Sequence, residues 1–254
     1  MNHFDLTGRV ALVTGGNGGI GLGMATGMAR AGARIAIVGR NPAKNAAAAD
    51  ALRALGADTL QLEADLMQEA ACRESVDRVA AHFGRLDILV NNAGIAIRKS
   101  PEEYSAAEWH RVVDSNLTSA FLCSQAAYPH MKKVGGGKII SIGSLLSQMG
   151  ASFAVAYAAS KGGLVQMTKA LATAWGRDNI QVNALLPGWI DTDLTEGARR
   201  EVAGLDERVR TRTPAGRWGK PSDFEAVTVL LAGSGSQYIT GTALFVDGGY
   251  SIQA

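Results

Sequence analysis

Cysteine, histidine and net charge are all scarce in this sequence, and each shortage argues against a class of protein. The 254 residues include two cysteines, four histidines and a formal net charge of +2. Because Cys72 and Cys123 lie far apart in the sequence, buried reduced thiols are favoured over a disulfide. So small a net charge gives no broad positive field, which argues against nucleic acid or an acidic membrane as the main partner.

Metal-ligand patterns and long apolar runs are also lacking. The histidines form neither an HxxxH nor an HExxH motif, and no cysteine lies near them, so we predict no metal site. The sequence has no run of 18 apolar residues, and its first residues do not have the features of a signal peptide. We therefore expect a cytoplasmic protein that acts without a membrane.

The sequence does contain a regular alternation of short β-branched runs and longer alanine-rich stretches. The runs predict strands at residues 9–14, 34–38, 59–63, 86–90, 138–142, 180–186 and 243–246. Helices of about ten or more residues between them imply right-handed βαβ units. The expected fold is α/β: a single doubly wound Rossmann-type domain over 1–254, whose seven-stranded, mainly parallel sheet has helices on both faces. Only residues 191–217 break the rhythm, because they are polar and contain no strand pattern.

A glycine-rich loop follows the first predicted strand and opens the first predicted helix. Gly15, Gly19 and Gly21 let the backbone turn tightly, approach a phosphate and pack the helix on the sheet. Backbone N–H groups at the start of the helix then face a pyrophosphate. The loop therefore predicts a dinucleotide site in the first βα unit.

Tyr157 and Lys161 are four residues apart, so in a helix their side chains would lie on one face. A free phenol has a pKa of about 10 and is a poor acid or base near neutrality. A neighbouring ammonium favours the phenolate and would move the proton toward a useful pH. Such pairs also occur on ordinary helix surfaces, so the remaining motifs decide whether this one is catalytic.

Together these motifs resemble those of the short-chain dehydrogenase/reductase family, and the resemblance covers nearly the whole chain. The glycine spacing Gly-xxx-Gly-x-Gly is similar to the family's cofactor motif. Further matches occur in order along the chain, at Asn91 to Gly94, at Asn116, at Ser144 thirteen residues before Tyr157, and at Pro187 and Gly188.

The resemblance implies a catalytic role for four side chains. Tyr157 would exchange a proton with the substrate oxygen, and Lys161 would favour the phenolate and bind the nicotinamide ribose. Ser144 would polarise the substrate oxygen, and Asn116 would support a water that links Lys161 to solvent. Two simpler interpretations remain open, since Ser144 could cap a turn and Asn116 could bond its own helix backbone.

The resemblance also implies a nicotinamide cofactor. NAD-binding members have an acid after the second strand, whereas this strand is followed by Gly39 and Arg40. Arg40 matches the arrangement that binds a 2′-phosphate, so NADP(H) is favoured and NAD(H) stays possible. Gly18 lacks the basic side chain that some NADP-preferring members have. The full set of expected cofactor contacts is Gly15, Asn17, Gly19, Ile20, Gly21, Arg40, Asp65, Leu66, Asn92, Ala93, Gly94, Tyr157, Lys161, Pro187, Gly188, Ile190 and Thr192.

Residues 191–217 resemble the family's substrate lid, and their six arginines are balanced by six acidic residues. The expected substrate contacts are Ser144, Leu146, Gln148, Tyr157 and Trp189. Segments such as 214–219 resemble gluconate and 2-deoxygluconate dehydrogenases, which favours a polyol, a sugar acid or a small ketone as substrate. The alternatives are a reductase of 3-oxoacyl thioesters, as in the 3-oxoacyl-carrier-protein reductases, and a non-catalytic dinucleotide-binding regulator. The family also implies a homotetramer.

Overall fold

Seven strands form one sheet in the structure, a computed structural model that describes residues 2–253. The strands are β1 (Val10–Thr14), β2 (Arg34–Gly39), β3 (Thr59–Glu63), β4 (Ile88–Asn91), β5 (Gly137–Ile142), β6 (Ile180–Pro187) and β7 (Ala243–Val246). They lie in the order β3-β2-β1-β4-β5-β6-β7, and neighbouring strands pair in parallel. The strand order changes direction at β1, so the carboxyl ends of β1 and β4 flank a crevice where ligands bind in such sheets.

Helices connect the strands and cover both faces of the sheet. They are α1 (Gly19–Arg30), α2 (Pro42–Ala54), α3 (Glu69–Phe83), α4 (Ala106–Val113), α5 (Ser119–Lys133), α6 (Val155–Trp175), α7 (Asp193–Glu201), α8 (Leu205–Arg212) and α9 (Glu225–Ala232). A π-helical turn, Asp114–Thr118, joins α4 to α5. The predicted doubly wound α/β fold is confirmed, and the strand pairs are parallel throughout the described residues.

Alternate residues of each central strand enter two different apolar layers. In β1, Ala11 and Val13 pack with α1, α2 and α9, whereas Val10 and Leu12 pack with α3 and α5. All five residues of β1 are buried, as expected for a strand covered on both sides. This two-sided burial is why the strand runs in the sequence are apolar without strict alternation.

β4 begins two residues later than the sequence pattern predicted. The Asp87 carboxylate accepts hydrogen bonds from the Val10 backbone N–H at 2.9 Å and from the Arg9 side chain at 2.9 Å. This side chain, and not a ladder hydrogen bond, therefore satisfies the first backbone donor of β1. The strand pairing with β4 starts at Ala11 and Ile88.

Two short helices, α7 and α8, occupy most of residues 191–217. Their apolar sides form a small cluster of Ala198, Leu205 and Val209 with Trp218. Most other side chains of this segment are polar and exposed, which matches its balanced charge. Across residues 2–253, the helices are too short or too polar for any of them to cross a membrane.

Candidate active site

The four expected catalytic side chains come from three elements that meet at the carboxyl edge of the sheet. Ser144 lies two residues beyond β5, Tyr157 and Lys161 lie on α6, and Asn116 lies in the π-helical turn. Such π turns are frequent at functional sites. The helix α6 packs along the short turn after β5, which brings Tyr157 toward Ser144.

Ser144 has two contacts, and together they answer the question that the sequence left open. Its hydroxyl accepts a hydrogen bond from the Leu146 backbone N–H at 3.1 Å, so it does cap a turn. The same side chain acts on the Tyr157 phenol and lowers its pKa. The turn itself is tied to α6, because the Ser147 hydroxyl donates to the Lys161 carbonyl at 2.8 Å. The cap therefore fixes the Ser144 hydroxyl beside the tyrosine.

Asn116 holds the segment that follows β4. Its Oδ1 accepts from the Ile95 N–H at 2.8 Å, and its Nδ2 donates to the Ile95 carbonyl and to the Ser160 hydroxyl, both at 3.0 Å. The side chain thus links the π turn to α6 and to the chain after β4, and does not bond its own helix. A Cβ at Gly94 would lie 2.9 Å from Asn116 Oδ1, so glycine is needed for this close approach.

The protonation of Tyr157 differs from the sequence-based expectation. Burial raises the pKa of this phenol, and the Ser144 hydrogen bond and the charge of Arg98 only partly oppose that effect. Burial also lowers the pKa of Lys161 to about 8. The Lys161 ammonium donates to the Ile142 carbonyl at 2.6 Å and lies 5.7 Å from the centre of the Tyr157 ring. Tyr157 is therefore a protonated hydroxyl near neutral pH, with a buried cation next to it.

Arg98 is a charged residue near this site that the sequence analysis did not single out. Its guanidinium is mostly covered, with 17% of the side chain exposed, and it pairs with Glu201 at 3.1 Å. It also donates to the Leu194 carbonyl at 3.1 Å, which places it beneath the first turns of α7. Its charge lowers the pKa of Tyr157, although less than Ser144 does. The sequence feature that could have identified Arg98 is its position seven residues after Asn91, on the loop at the carboxyl end of β4.

A cavity of about 770 Å³ lies next to these residues, over the crevice between β1 and β4. Asn92 lines this cavity, and Thr14 holds Asn92 in place. The Thr14 hydroxyl accepts from the Asn92 and Ala93 N–H groups, and the Asn92 amide donates to the Thr14 and Gly15 carbonyls, both at 3.0 Å. The glycine loop is thereby locked to the end of β4.

Most of the expected cofactor contacts line this cavity. They are Gly15, Asn17, Gly19, Ile20, Arg40, Asp65, Leu66, Asn92, Ala93, Gly94 and Thr192. Arg40 is exposed on the cavity wall, and Lys44 and Asp193, which the sequence analysis did not single out, also line it. The end of β2, the glycine loop and the start of α7 therefore face one elongated space.

Comparisons with known proteins agree with this geometry. The family model described as enoyl-(acyl carrier protein) reductase matches residues 15–251. The chain is 42% identical over 251 residues to the 2-dehydro-3-deoxy-D-gluconate 5-dehydrogenase of Escherichia coli (strain K12), with 98% of each chain covered. A short-chain type dehydrogenase/reductase from Mycobacterium marinum superposes with a TM-score of 0.93 at 33% identity, with 98% of each chain covered.

The chain belongs to the short-chain dehydrogenase/reductase family. A gluconate 5-dehydrogenase of Burkholderia cenocepacia J2315, in complex with NADP and tartrate, superposes with a TM-score of 0.94. It is 38% identical and is matched over 100% of this chain and 99% of its own. The protein is accordingly an oxidoreductase that acts on CH–OH groups.

Some residues expected at the cofactor of this short-chain dehydrogenase/reductase do not line the cavity. A Cβ at Gly21 would lie 2.4 Å from both Asn92 Nδ2 and the Gly15 carbonyl, so this glycine permits packing of α1 under the loop. Gly188 donates to the Val246 carbonyl at 3.0 Å and Ile190 pairs with Gly219, so both support the chain that leads to Thr192. The remaining residues of this group are Pro187, which ends β6, and Tyr157 and Lys161, which lie on α6.

The expected substrate contacts divide in the same way. Leu146 and Gln148 follow Ser144 in the short turn after β5, where Leu146 is half-buried and Gln148 exposed. Trp189 lies elsewhere, because its ring packs edge-on against Trp218 at 5.7 Å within the cluster under α7 and α8. Trp189 therefore anchors the base of this helical segment in the structure.

Proposed function

We propose that the protein is an NADP(H)-dependent dehydrogenase that interconverts a secondary alcohol and a ketone on a sugar acid. The observation that carries this proposal is Arg98, a largely covered guanidinium on the loop after β4 whose charge acts on the pKa of the Tyr157 phenol. If it exchanges Glu201 for the substrate, this permanent cation is suited to hold the carboxylate of a hydroxy acid while the hydroxyl of that acid meets the tyrosine. The E. coli and Burkholderia relatives are by name dehydrogenases of such acids, and the Burkholderia structure contains tartrate.

The residues at the end of β2 fit a cofactor with a 2′-phosphate. A Cβ at Gly39 would lie 2.4 Å from Asn17 Nδ2 and 2.8 Å from Asn45 Oδ1, so an acid there would displace both amides. The buried Asn45 accepts from Asn17 at 2.6 Å and donates to the Gly39 carbonyl at 2.9 Å, which fixes the turn that presents Arg40. Arg40 supplies a cation, and position 39 has no acid that could bind the ribose hydroxyls. This combination favours NADP(H), the cofactor bound in the Burkholderia structure.

The chemistry of the chain's own residues follows from their contacts. When bound, the nicotinamide supplies the hydride for reduction or accepts it during oxidation. Tyr157, protonated near neutrality, donates its proton to the ketone oxygen, which the Ser144 hydroxyl orients and polarises. The buried Lys161 ammonium stabilises the phenolate that remains after the proton has left. In the oxidative direction the same groups act in reverse.

The rate of ketone reduction is expected to fall as pH rises above about 8, because burial lowers the pKa of Lys161 to about 8. Above that pH the lysine loses the charge that stabilises the phenolate, while Tyr157, whose pKa is raised, stays protonated. The measurement is kcat/KM for reduction across the pH range. The Lys161→Arg variant should move the falling limb upward, because a guanidinium keeps its charge. A wild-type profile that stays flat to about pH 9.5 would contradict this role.

The alternative of a 3-oxoacyl thioester reductase has weaker support. An acidic carrier protein would need basic side chains near the turn before β5, which here is Val134 followed by three glycines. The basic side chains near this turn are Lys132, which pairs with Asp178 at 3.0 Å, Lys133 and Arg177, so the support is weaker but not absent. The non-catalytic regulator is disfavoured as well, because Ser144, Tyr157 and Lys161 meet in one site.

A turnover screen with NADPH and NADH tests the proposed function. It should span hydroxy and keto sugar acids, neutral polyols, cyclic and aliphatic ketones, and 3-oxoacyl thioesters. We expect the highest kcat/KM with a sugar acid and NADP(H). A preference for a thioester, or for neutral polyols over every acid, would overturn the proposed substrate class.

Arg40→Ala is expected to weaken NADPH binding by about 10- to 150-fold, the loss of one charge-assisted hydrogen bond. NADH binding should change by less than about twofold, because NADH lacks the 2′-phosphate. The dissociation constants of both cofactors, measured by fluorescence titration, decide the point. Arg53→Ala is a matched control, since Arg53 lies in the last turn of the adjoining helix and pairs with Asp50. Equal wild-type affinities for the two cofactors would contradict the role of Arg40.

The larger organisation of the protein is part of the same proposal. Residues 191–217 act as a lid, supported by the position of α7 over Arg98. The whole of 1–254 acts as one catalytic domain built on one sheet. A cytoplasmic homotetramer stays a prediction from the sequence, and gel filtration with light scattering tests the number of subunits.

A further inference from the structure

Lys44 and Asp193 form an ion pair between two walls of the cofactor cavity. Lys44 lies in the first turn of α2, and Asp193 is the first residue of α7, 149 residues later. Lys44 Nζ lies 2.6 Å from an Asp193 carboxylate oxygen. Both residues line the cavity together with Arg40, so the pair connects the lid to the wall where Arg40 lies.

This pair is easily exchanged for another partner. The side chains of Lys44 and Asp193 are 56% and 85% exposed, and exposed ion pairs contribute little to stability. The contact with Lys44 nevertheless lowers the pKa of Asp193, so this carboxylate is charged at neutral pH. A ligand anion that enters the cavity can therefore take over Lys44 at small cost.

The 2′-phosphate of NADP(H) is the anion that best suits Lys44. A phosphate monoester carries about 1.5 to 2 negative charges at neutral pH, so one arginine leaves part of its charge uncompensated. Lys44 is four residues from Arg40 on the same wall, joined by the Asn41 turn that caps α2. A compact ammonium on a flexible stem can turn from Asp193 toward that phosphate.

We propose that Lys44 is a second ligand of the 2′-phosphate and that Asp193 competes with this phosphate for it. The inference rests on the proposed use of NADP(H) and deepens it. Asp193 then lowers the preference for NADP(H) in the free protein, and binding of the phosphate releases the start of the lid from α2. Arg40 and Lys44 together set cofactor specificity, and the lid residue Asp193 moderates it.

The test measures dissociation constants for NADPH and NADH by fluorescence titration, without turnover. Lys44→Met should weaken NADPH binding by about tenfold and NADH binding by less than about twofold. Asp193→Asn should tighten NADPH binding by about threefold or more. The fold-change in NADH affinity should be smaller than that for NADPH by a factor of at least about three. In the Lys44→Met background, Asp193→Asn should change NADPH binding by no more than about twofold, because the lysine for which Asp193 and the phosphate compete is gone.

Glu196→Gln is the matched control, since it removes the same charge from α7 at a residue that pairs with Arg200 at 4.0 Å. The inference is overturned if Glu196→Gln and Asp193→Asn have equal effects, or if Asp193→Asn changes both cofactors equally. It is also overturned if the effect of Asp193→Asn persists without Lys44. A wild type that prefers NADPH and loses that preference in Arg40→Ala, with no effect of Asp193→Asn, refutes this inference alone. A wild type with no preference refutes the proposed cofactor and this inference together.

Discussion

Tyr157→Phe is expected to reduce turnover by at least about 100-fold, which is the usual contribution of a positioned general acid or base. The substitution removes only the hydroxyl, whose proton burial retains near neutral pH. The aromatic ring stays, so the packing of α6 and the cofactor cavity should be preserved. NADPH binding is expected to change by less than about threefold.

The measurement is kcat for reduction and oxidation, beside a fluorescence titration of NADPH with the same preparation. Tyr238→Phe is the matched control, because it removes a hydroxyl from a tyrosine that is fully exposed. Near-wild-type turnover in Tyr157→Phe would exclude Tyr157 as the proton donor. Loss of turnover together with loss of NADPH binding would point to a disturbed site instead of a missing proton.

Local sequence patterns were sufficient to predict the fold, because the pattern that indicates each strand or helix lies within a short stretch of consecutive residues. The β-branched run at 34–38 and the glycines after Thr14 predicted β2 and the phosphate loop without knowledge of any distant residue. The same holds for the spacing of Ser144, Tyr157 and Lys161. Strand ends were less certain, as at Asp87, where a side chain replaces a ladder hydrogen bond.

The parts of the site that the sequence did not reveal depend on contacts between distant segments. Arg98 acquires its place from Glu201, 103 residues away, and Lys44 from Asp193, 149 residues away. The role of Asn45 is recognisable only when its contact with Asn17 and the close approach of both amides to Gly39 are known. Burial has the same origin, and it raises the pKa of Tyr157 where the neighbouring lysine alone predicted the opposite direction.

Arg98→Met is expected to lower kcat/KM for a hydroxy sugar acid by about 10- to 150-fold, the worth of a charge-assisted hydrogen bond to the carboxylate. For a neutral polyol, kcat/KM should fall by less than about threefold, because a polyol has no carboxylate. The remaining loss arises because the charge of Arg98 also lowers the pKa of Tyr157, which affects every substrate. Parallel kinetics on one acid and one polyol separate the two effects.

Two further variants identify the property of Arg98 that matters. Arg98→Lys keeps the charge but loses the planar pair of donors, so it should recover only part of the activity on the acid. Glu201→Gln frees Arg98 from its partner on α7 while leaving the cation in place, so the KM for the acid should stay the same or fall. If Arg98→Met lowers kcat/KM equally for the acid and for the polyol, Arg98 acts through Tyr157 alone. The proposed sugar-acid substrate then loses its main support.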